Sequence, residues 1–161
     1  MRHGIAAERD TARMADDDRR PLTPDGERKV ARVARVLQSL GCSIDVIFSS
    51  PVVRSKQTAD IVADVLGCDI VKLNDALRPG RAASEFVHLL NSMPPGYDAV
   101  LAVGHEPDLG RLTGLLLAGT PDLQIHIRKG GIIRMSIDRS AVGSAATLEW
   151  VLPPKVLLRI G

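Results

Sequence analysis

Asp45-Val-Ile-Phe48 is a β-branched stretch with the character of a buried strand, and Ser50-Pro51 follows it one residue later. Ser50 stands where a helix N-cap is expected and Pro51 where a first helical residue is expected, so the sequence predicts a helix from here to about Leu66. Gly67 then ends the helix, because glycine readily adopts the left-handed conformation at a helix C-terminus. This stretch therefore predicts a strand whose carboxyl end leads straight into a helix.

A second junction of the same kind lies further along the chain. Ala99-Val-Leu-Ala-Val103 predicts a buried strand, and Pro107 opens a helix that Gly119 ends. Repeated strand-to-helix junctions are typical of βαβ units, so the sequence predicts an α/β fold with a mostly parallel central sheet. The other predicted elements are a helix from Thr23-Pro24, a strand over Asp69–Leu73, a helix over Ala83–Ser92, and strands over Gly131–Ile137 and Thr147–Leu152, with a turn containing Gly143 between them and an end to regular structure at Pro153-Pro154.

Length and composition limit the class of protein. A chain of 161 residues with 45% apolar and 25% charged residues is typical of a single globular domain over 1–161. A formal charge of +2 and only 2% aromatic residues argue against a nucleic-acid partner, which requires a basic surface and stacking side chains. The longest apolar run has five residues and no apolar signal segment starts the chain, so we expect a cytoplasmic protein with no membrane partner.

Two of the four histidines have unusual neighbours. His3 stands between Arg2 and Gly4, and His105 follows the second predicted strand just before a helix. Arg54 lies in the first helical turn of the other junction, where backbone N–H groups favour an anion. If both junctions lie at one edge of the sheet, these side chains converge on a pocket with at least two fixed positive charges. Such a pocket suits a phosphoryl group.

The predicted pocket has a definite chemistry. A histidine nucleophile can attack phosphorus while arginines stabilise the charge on the phosphoryl oxygens. We expect no acidic cluster to offset these positive charges. No spacing of potential ligands resembles a metal site, since Cys42 and Cys68 lie far apart and form no Cys-x-x-Cys pair. The sequence therefore predicts phosphoryl transfer at a histidine without a metal or another cofactor.

Four short motifs occur in a defined order along nearly the whole chain. They are Arg2-His3-Gly4, Leu22-Thr23-x-x-Gly26, Ser49-Ser50-Pro51-x-x-Arg54-x-x-x-Thr58 and Gly104-His105-x-Pro107. Their order and spacing resemble the histidine phosphatase superfamily. The short length, Arg20-Pro21-Leu22-Thr23 and Asp75-x-Leu77-x-Pro79-Gly80 are most similar to its SixA-type phosphohistidine phosphatases. The resemblance implies a three-layer α/β sandwich with helices on both faces of the sheet.

The resemblance also implies roles for individual residues. His3 would be the nucleophile that is transiently phosphorylated, and the phosphoryl group would be bound by Arg2, Arg54 and His105. Further substrate contacts are implied for Gly4, Arg20 and Ser50. For Arg20, an ordinary surface position is an equally open alternative.

The proton donor is a point where this sequence departs from the larger members of the family. Those members supply a glutamate after the third strand, whereas the candidate acids of this chain are Asp75, Glu85 and Asp17. An imidazole leaving group has a pKa of about 6.5, far below that of an alkoxide, so a pocket with only a weak acid favours phosphohistidine over phosphate esters. The polar segment Glu8–Arg20 is expected to form a mobile lid, a rim that faces the substrate, or a plain solvated loop.

Three functions remain open on the sequence alone. The leading hypothesis is a phosphatase that removes the phosphoryl group from phosphohistidine in a protein. A phosphomonoesterase acting on a small phosphorylated metabolite or nucleotide is the first alternative. A non-catalytic module that binds a phosphorylated ligand is the second.

Two segments of the chain, its beginning and Lys129-Gly130-Gly131, raise a question about the pocket. Family members begin with an apolar strand of about five residues before Arg-His-Gly, whereas only Met1 precedes this motif here. We expect the true chain to start upstream, because a sheet without that strand would have a hydrophobic slot and a loosely held nucleophile. Lys129-Gly130-Gly131 is expected either to approach the phosphate as a loop or to form a simple turn.

Overall fold

A three-stranded parallel sheet forms the centre of the computed structural model, which describes residues 1–8, 14–123, 125–138 and 146–160. Its strands are β1 (Val46–Ser49), β2 (Val71–Leu73) and β3 (Val100–Val103), in the order β2-β1-β3. All four residues of β1 are buried, because β1 is the middle strand and is covered on both faces. The predicted parallel sheet is confirmed.

Helices cover both faces of this sheet. On one face Ile47 packs in an apolar cluster with residues of α1 (Pro24–Ser39), α2 (Val53–Leu66) and α5 (Pro154–Ile160). On the other face Val46 and Phe48 pack with residues of α3 (Ala83–Ser92) and α4 (Asp108–Ala118). Alternate residues of β1 therefore serve opposite cores, as the period of a strand requires. The three-layer α/β sandwich is confirmed.

The last two strands form an antiparallel hairpin. Strand β4 (Ile132–Ile137) pairs with β5 (Ala146–Leu152), with an irregularity in the register between Arg134 and Met135. The predicted turn with Gly143 lies outside the described residues. Within the described ranges, no helix is both long enough and apolar enough to cross a bilayer.

Two sequence predictions about helices were wrong. Helix α2 begins at Val53, later than predicted, because the Ser50 hydroxyl accepts a hydrogen bond from Val52 N–H (3.3 Å) and so caps the turn before the helix. Regular structure also continues after the two prolines, since α5 begins at Pro154. A proline at a first helical position loses no hydrogen bond, and the full burial of Leu157 stabilises this short helix.

Residues 1–3 lie alongside β3 as a very short parallel strand. The Met1 amino group donates to the Ala102 carbonyl (2.7 Å), and His3 N–H donates to the Gly104 carbonyl (3.1 Å). On the opposite side, Arg2 N–H donates to the Gly131 carbonyl (3.1 Å). The Arg-His-Gly motif is therefore held between β3 and the loop that leads into β4.

A groove of about 500 Å³ continues from Met1 between β3 and β4. Its apolar lining includes Leu37, Leu101, Ile133, Met135 and Trp150. The groove lies where a hydrophobic slot is expected beside a short first strand. Residues upstream of Met1 that would occupy it remain a prediction.

Filling the groove is expected to stabilise the protein. About five β-branched residues added before Met1 would continue the parallel pairing with β3 and bury apolar side chains, each contributing up to about 1.5–3 kcal/mol before ordering costs. We expect the melting temperature to rise by at least about 5 °C in thermal unfolding followed by circular dichroism. A Gly/Ser extension of equal length is the control, and equal melting temperatures for the two extensions would contradict the expectation.

Candidate active site

His3 is buried at the carboxyl end of the sheet with one ring nitrogen already engaged. Its Nδ1 lies 2.7 Å from the carbonyl oxygen of Gly4. Because a carbonyl only accepts, Nδ1 carries the proton and Nε2 keeps an unshared electron pair. The backbone of His3 is held to Gly104. Nε2 is therefore the ring nitrogen of His3 whose electron pair is left free for the predicted attack on phosphorus.

Gly4 connects His3 to helix α2. Its N–H donates to the Thr58 hydroxyl (3.0 Å), which itself donates to the Arg54 carbonyl (2.7 Å). A Cβ at Gly4 would lie 2.6 Å from the Cγ2 atom of Val30, which is too close for any side chain. The contacts at this glycine hold the nucleophile loop in place. A direct contact between Gly4 and substrate remains a prediction.

His105 lies beside His3, with 5.1 Å between the ring centroids. Its Nε2 is 3.0 Å from the Ser50 hydroxyl and 3.2 Å from the Ser55 hydroxyl, while its Nδ1 is 3.4 Å from an Nη2 atom of Arg54. A guanidinium only donates, so Nδ1 accepts and Nε2 carries the proton. Ser50 thus orients His105, and Ser55 shares this role although sequence reasoning did not single it out.

In both arginines of the site, protein acceptors bind terminal nitrogens of the guanidinium. Arg54 Nη1 donates to the Asp17 carbonyl (2.7 Å) and Nη2 donates to Asp17 Oδ2 (3.1 Å). Arg2 Nη1 donates to the Ile127 carbonyl (3.0 Å). The Nε atoms of Arg2 and Arg54 are buried and have no hydrogen-bond partner among the described residues. A buried unpaired donor is costly, so the two Nε atoms are hydrogen-bonding capacity that the described part of the protein leaves unused.

Burial and positive charge keep both histidines neutral. Burial lowers the pKa of His3 to about 4, with Arg54 and Arg2 lowering it further and the Gly4 carbonyl opposing them. Burial likewise lowers the pKa of His105 to about 3, aided by His3 and Arg54. A neutral imidazole has the free electron pair that a nucleophile requires. At neutral pH the site therefore contains two uncharged imidazoles among fixed positive charges.

The expectation that no acid offsets these charges was wrong. Asp17 Oδ2 forms an ion pair with Arg54, and Asp17 Oδ1 forms a second one with Arg20 Nε (2.9 Å). Arg20 also donates from Nη1 to the Ala7 carbonyl (2.7 Å). Arg20 is therefore linked to the site through Asp17, and its contact with substrate remains a prediction. Sequence spacing could not reveal this contact because 37 residues separate Asp17 from Arg54.

The other two candidate acids lie on the surface. Asp75 pairs with Arg78 (2.7 Å), which also pairs with Asp18 (2.8 Å), and Glu85 pairs with Arg81 (2.6 Å). The Asp75 side chain is 76% exposed. Residues 14–19 form a 3-10 helix that is tied to Arg54 and to Arg78, so the described part of the predicted segment is not a plain solvated loop, and its role as a rim that faces the substrate remains a prediction.

Glu106 is a second acid near the site that sequence reasoning missed. Its Oε1 accepts from Ile127 N–H (2.7 Å), and Ile127 is the residue whose carbonyl holds Arg2. Burial lowers the pKa of the Arg2 guanidinium, and the Glu106 charge opposes this shift. Its position directly after His105 in the sequence was the available signal.

The Lys129-Gly130-Gly131 loop contacts the nucleophile segment. Gly130 N–H donates to the carbonyls of both Arg2 and His3 (3.1 Å each), and the Lys129 charge contributes to the lowered pKa of His3. Gly130 adopts a positive φ of 74°. The described residues contain no cluster of three side chains that could hold a metal ion.

Known proteins with similar sequences and structures identify the family. The family model of the histidine phosphatase superfamily (branch 1) matches residues 1–78. An uncharacterised protein of Picosynechococcus sp. is 38% identical over 161 residues, covering 98% of this chain and 96% of that protein. Phosphohistidine phosphatase SixA of Escherichia coli is 29% identical over 157 residues, covering 96% and 91% respectively.

A solved structure extends this similarity to the fold. The structure of the protein histidine phosphatase SixA complexed with tungstate matches with a TM-score of 0.84 and 28% identity. The match covers 96% of this chain and 95% of that one. Together with the sequence matches, it confirms the resemblance that the four motifs indicate.

The neutral state of the two histidines can be measured directly. In a titration of the free protein followed by ring nitrogen-15 shifts, we expect a pKa of about 4 for His3 and about 3 for His105, because burial disfavours both imidazolium forms. The variants His3→Ala and His105→Ala assign the signals. The unfolded chain takes up these protons at about pH 6.5, so the free energy of unfolding should fall as the pH decreases below about 6.5. Titration of either ring near pH 6.5 would contradict the expectation.

Proposed function

The chain belongs to the histidine phosphatase superfamily and is a phosphatase of this family. We propose that it removes the phosphoryl group from phosphohistidine in proteins. The observation that carries this proposal is the pair of buried, unpartnered Nε atoms of Arg2 and Arg54 beside a neutral His3. The similarity to SixA over nearly the full chain supports phosphohistidine as the substrate class. The reaction is proposed to need no metal.

The first step transfers the phosphoryl group to His3. The Nε2 electron pair attacks phosphorus, the Nε2–P bond forms, and the P–N bond of the substrate breaks as its imidazole leaves in the neutral form, with a proton on its other ring nitrogen. Arg2 and Arg54 donate from Nε to the phosphoryl oxygens, and the positive charge offsets the charge that develops on them. Gly4 accepts from Nδ1 throughout and so stabilises the positive charge that forms on the phosphorylated ring.

The second step releases phosphate to water. A water oxygen bonds to phosphorus, the Nε2–P bond breaks, and both hydrogens of the water leave with the product as dihydrogen phosphate. His3 leaves as a neutral imidazole because Nδ1 keeps its proton, which stays hydrogen-bonded to the Gly4 carbonyl. No acid is required for this departure, and the lowered pKa of His3 makes the ring a good leaving group.

The contacts of the three candidate proton donors, Asp17, Asp75 and Glu85, favour phosphohistidine over phosphate esters. An alkoxide leaving group needs a strong proton donor, whereas an imidazole does not. Asp17 is paired with both Arg54 and Arg20, an arrangement that favours its ionised, proton-free form. Asp75 and Glu85 are bound to arginines on the surface. None of these three carboxylates is set up to protonate an alkoxide.

A phosphomonoesterase acting on a small metabolite or nucleotide is the second candidate. The specific observation in its favour is that the Asp17 carboxylate contacts Arg54, so that a carboxyl group lies within the phosphoryl-binding region. A non-catalytic binding module is the third possibility and would bind phosphate without turnover. The predicted cytoplasmic location and the predicted lack of a nucleic-acid partner remain predictions.

Comparing two substrates separates these functions. We expect metal-free protein in the presence of a chelator to release phosphate from a phosphohistidine peptide faster than from p-nitrophenyl phosphate, and the variant His3→Ala to lose at least about a thousandfold in rate, because it lacks the nucleophile. Preference for the ester would indicate the phosphomonoesterase. Phosphate binding by folded protein with no turnover of either substrate would indicate the binding module.

Surface acids should not matter to the reaction. We expect Asp75→Asn and Glu85→Gln to change kcat/KM by less than about twofold for either substrate, because both carboxylates are already engaged in ion pairs with exposed arginines. Steady-state kinetics on both substrates checks this. A large loss of ester hydrolysis alone in either variant would identify that residue as the acid of a phosphomonoesterase.

A further inference from the structure

We propose that Asp17 is a positioning residue that holds the terminal edge of the Arg54 guanidinium so that Arg54 Nε faces the bound phosphoryl group. This inference rests on the proposed function in one respect, namely that the anion bound at Arg54 is a phosphoryl group. It assigns to Asp17 a role other than that of a proton donor.

Asp17 engages one part of the guanidinium and leaves another part open. Its carbonyl accepts from Nη1 (2.7 Å) and its Oδ2 accepts from Nη2 (3.1 Å), so both contacts are made to the terminal nitrogens. The Nε of Arg54 is buried and has no partner among the described residues. The Arg54 side chain is only 5% exposed, so water does not readily replace a missing ligand there. The Nε–H of Arg54 is therefore a buried donor that lacks an acceptor among the described residues, and an oxygen of a bound phosphoryl group would supply one.

Asp17 is itself firmly held. Its Oδ1 pairs with Arg20 Nε (2.9 Å), and Arg20 Nη1 is bound to the Ala7 carbonyl (2.7 Å). Ala7 N–H in turn donates to the Pro21 carbonyl (2.9 Å). The carboxylate therefore connects Arg54 to a backbone frame outside helix α2. A side chain with several rotatable bonds needs such an outside restraint to keep one orientation.

Arg2 shows the same arrangement by a different means. Its Nη1 donates to the Ile127 carbonyl (3.0 Å), and its Nε is also buried without a partner among the described residues. Each arginine is thus held at a terminal nitrogen, and its Nε has no acceptor among the described residues. The holding atom is a backbone carbonyl for Arg2 but includes a side-chain carboxylate for Arg54. Asp17 is therefore the part of this arrangement that a mutation can remove.

Positioning and simple charge effects predict opposite results when Asp17 is neutralised. A carboxylate near the pocket repels a phosphate dianion, so its removal alone would tighten phosphate binding. If the carboxylate instead orients Arg54, its removal weakens phosphate binding, because the guanidinium becomes free to turn away. The sign of the change therefore decides between the two effects.

The test is the affinity for inorganic phosphate, measured by isothermal titration calorimetry without any turnover. We expect Asp17→Asn to raise the Kd about tenfold, the size of effect expected for a lost hydrogen bond between charged groups. Asp18→Asn is the matched control, because it removes the same charge from the neighbouring residue, whose side chain pairs with the exposed Arg78 and not with Arg54. The control should change the Kd by less than about twofold.

Two further variants keep the test decisive. Asp17→Glu retains the charge but lengthens the side chain, so positioning predicts weaker phosphate binding here too, and this variant serves if Asp17→Asn does not fold in a thermal melt. In an Arg54→Lys background, Asp17→Asn should have less than about a twofold further effect on the Kd, because the residue acts through Arg54. Where turnover is measurable, KM should rise more than kcat falls.

The outcomes separate this inference from the proposed function. Tighter or unchanged phosphate binding in folded Asp17→Asn, or an equal effect in Asp18→Asn, would overturn the positioning role. An additive effect in the Arg54→Lys background would overturn it as well. Failure to hydrolyse phosphohistidine, with weaker phosphate binding in Asp17→Asn, would count against the proposed function and leave the positioning role standing.

Discussion

The pairing of residues 1–3 with β3 is the constraint on which the rest of the site depends. Because His3 N–H donates to the carbonyl of Gly104, the residue next to His105, the two histidine rings are brought within 5.1 Å of each other. The loop at Gly130 closes the other side by donating to the carbonyls of Arg2 and His3. A few backbone hydrogen bonds thus place the nucleophile, an arginine and the second histidine together.

Burial converts this arrangement into chemistry. Removing water from His3 lowers its pKa to about 4, so the ring is neutral and nucleophilic at neutral pH. The same burial would be unfavourable for the charged guanidinium groups of Arg2 and Arg54 if no negative charge lay near them. Glu106 supplies that charge for Arg2, and Asp17 supplies it for Arg54. The buried Nε atoms of both arginines are left without a protein acceptor among the described residues, and an anion can satisfy them.

The elements that could be predicted are those with local signals. The parallel strands β1 and β3, and the ends of α2 and α4 at Gly67 and Gly119, follow from short apolar runs and from glycine at a helix C-terminus. Helix α5 could not be predicted, because the burial of Leu157 against distant residues stabilises it more than its own sequence does. The convergence of Arg54 with His105 was predictable because the parallel strands that precede them end at one edge of the sheet.

By itself the sequence determined the α/β class and the family motifs, and it predicted the residues that bind the phosphoryl group in the proposed reaction, since all of these are read from neighbours along the chain. The tertiary structure alone decided the protonated nitrogen of His3 and the contact between Asp17 and Arg54. It also decided that Asp75 stays on the surface. These features depend on which acceptor lies near which donor in space, and residues far apart in sequence make such contacts only once the chain has folded.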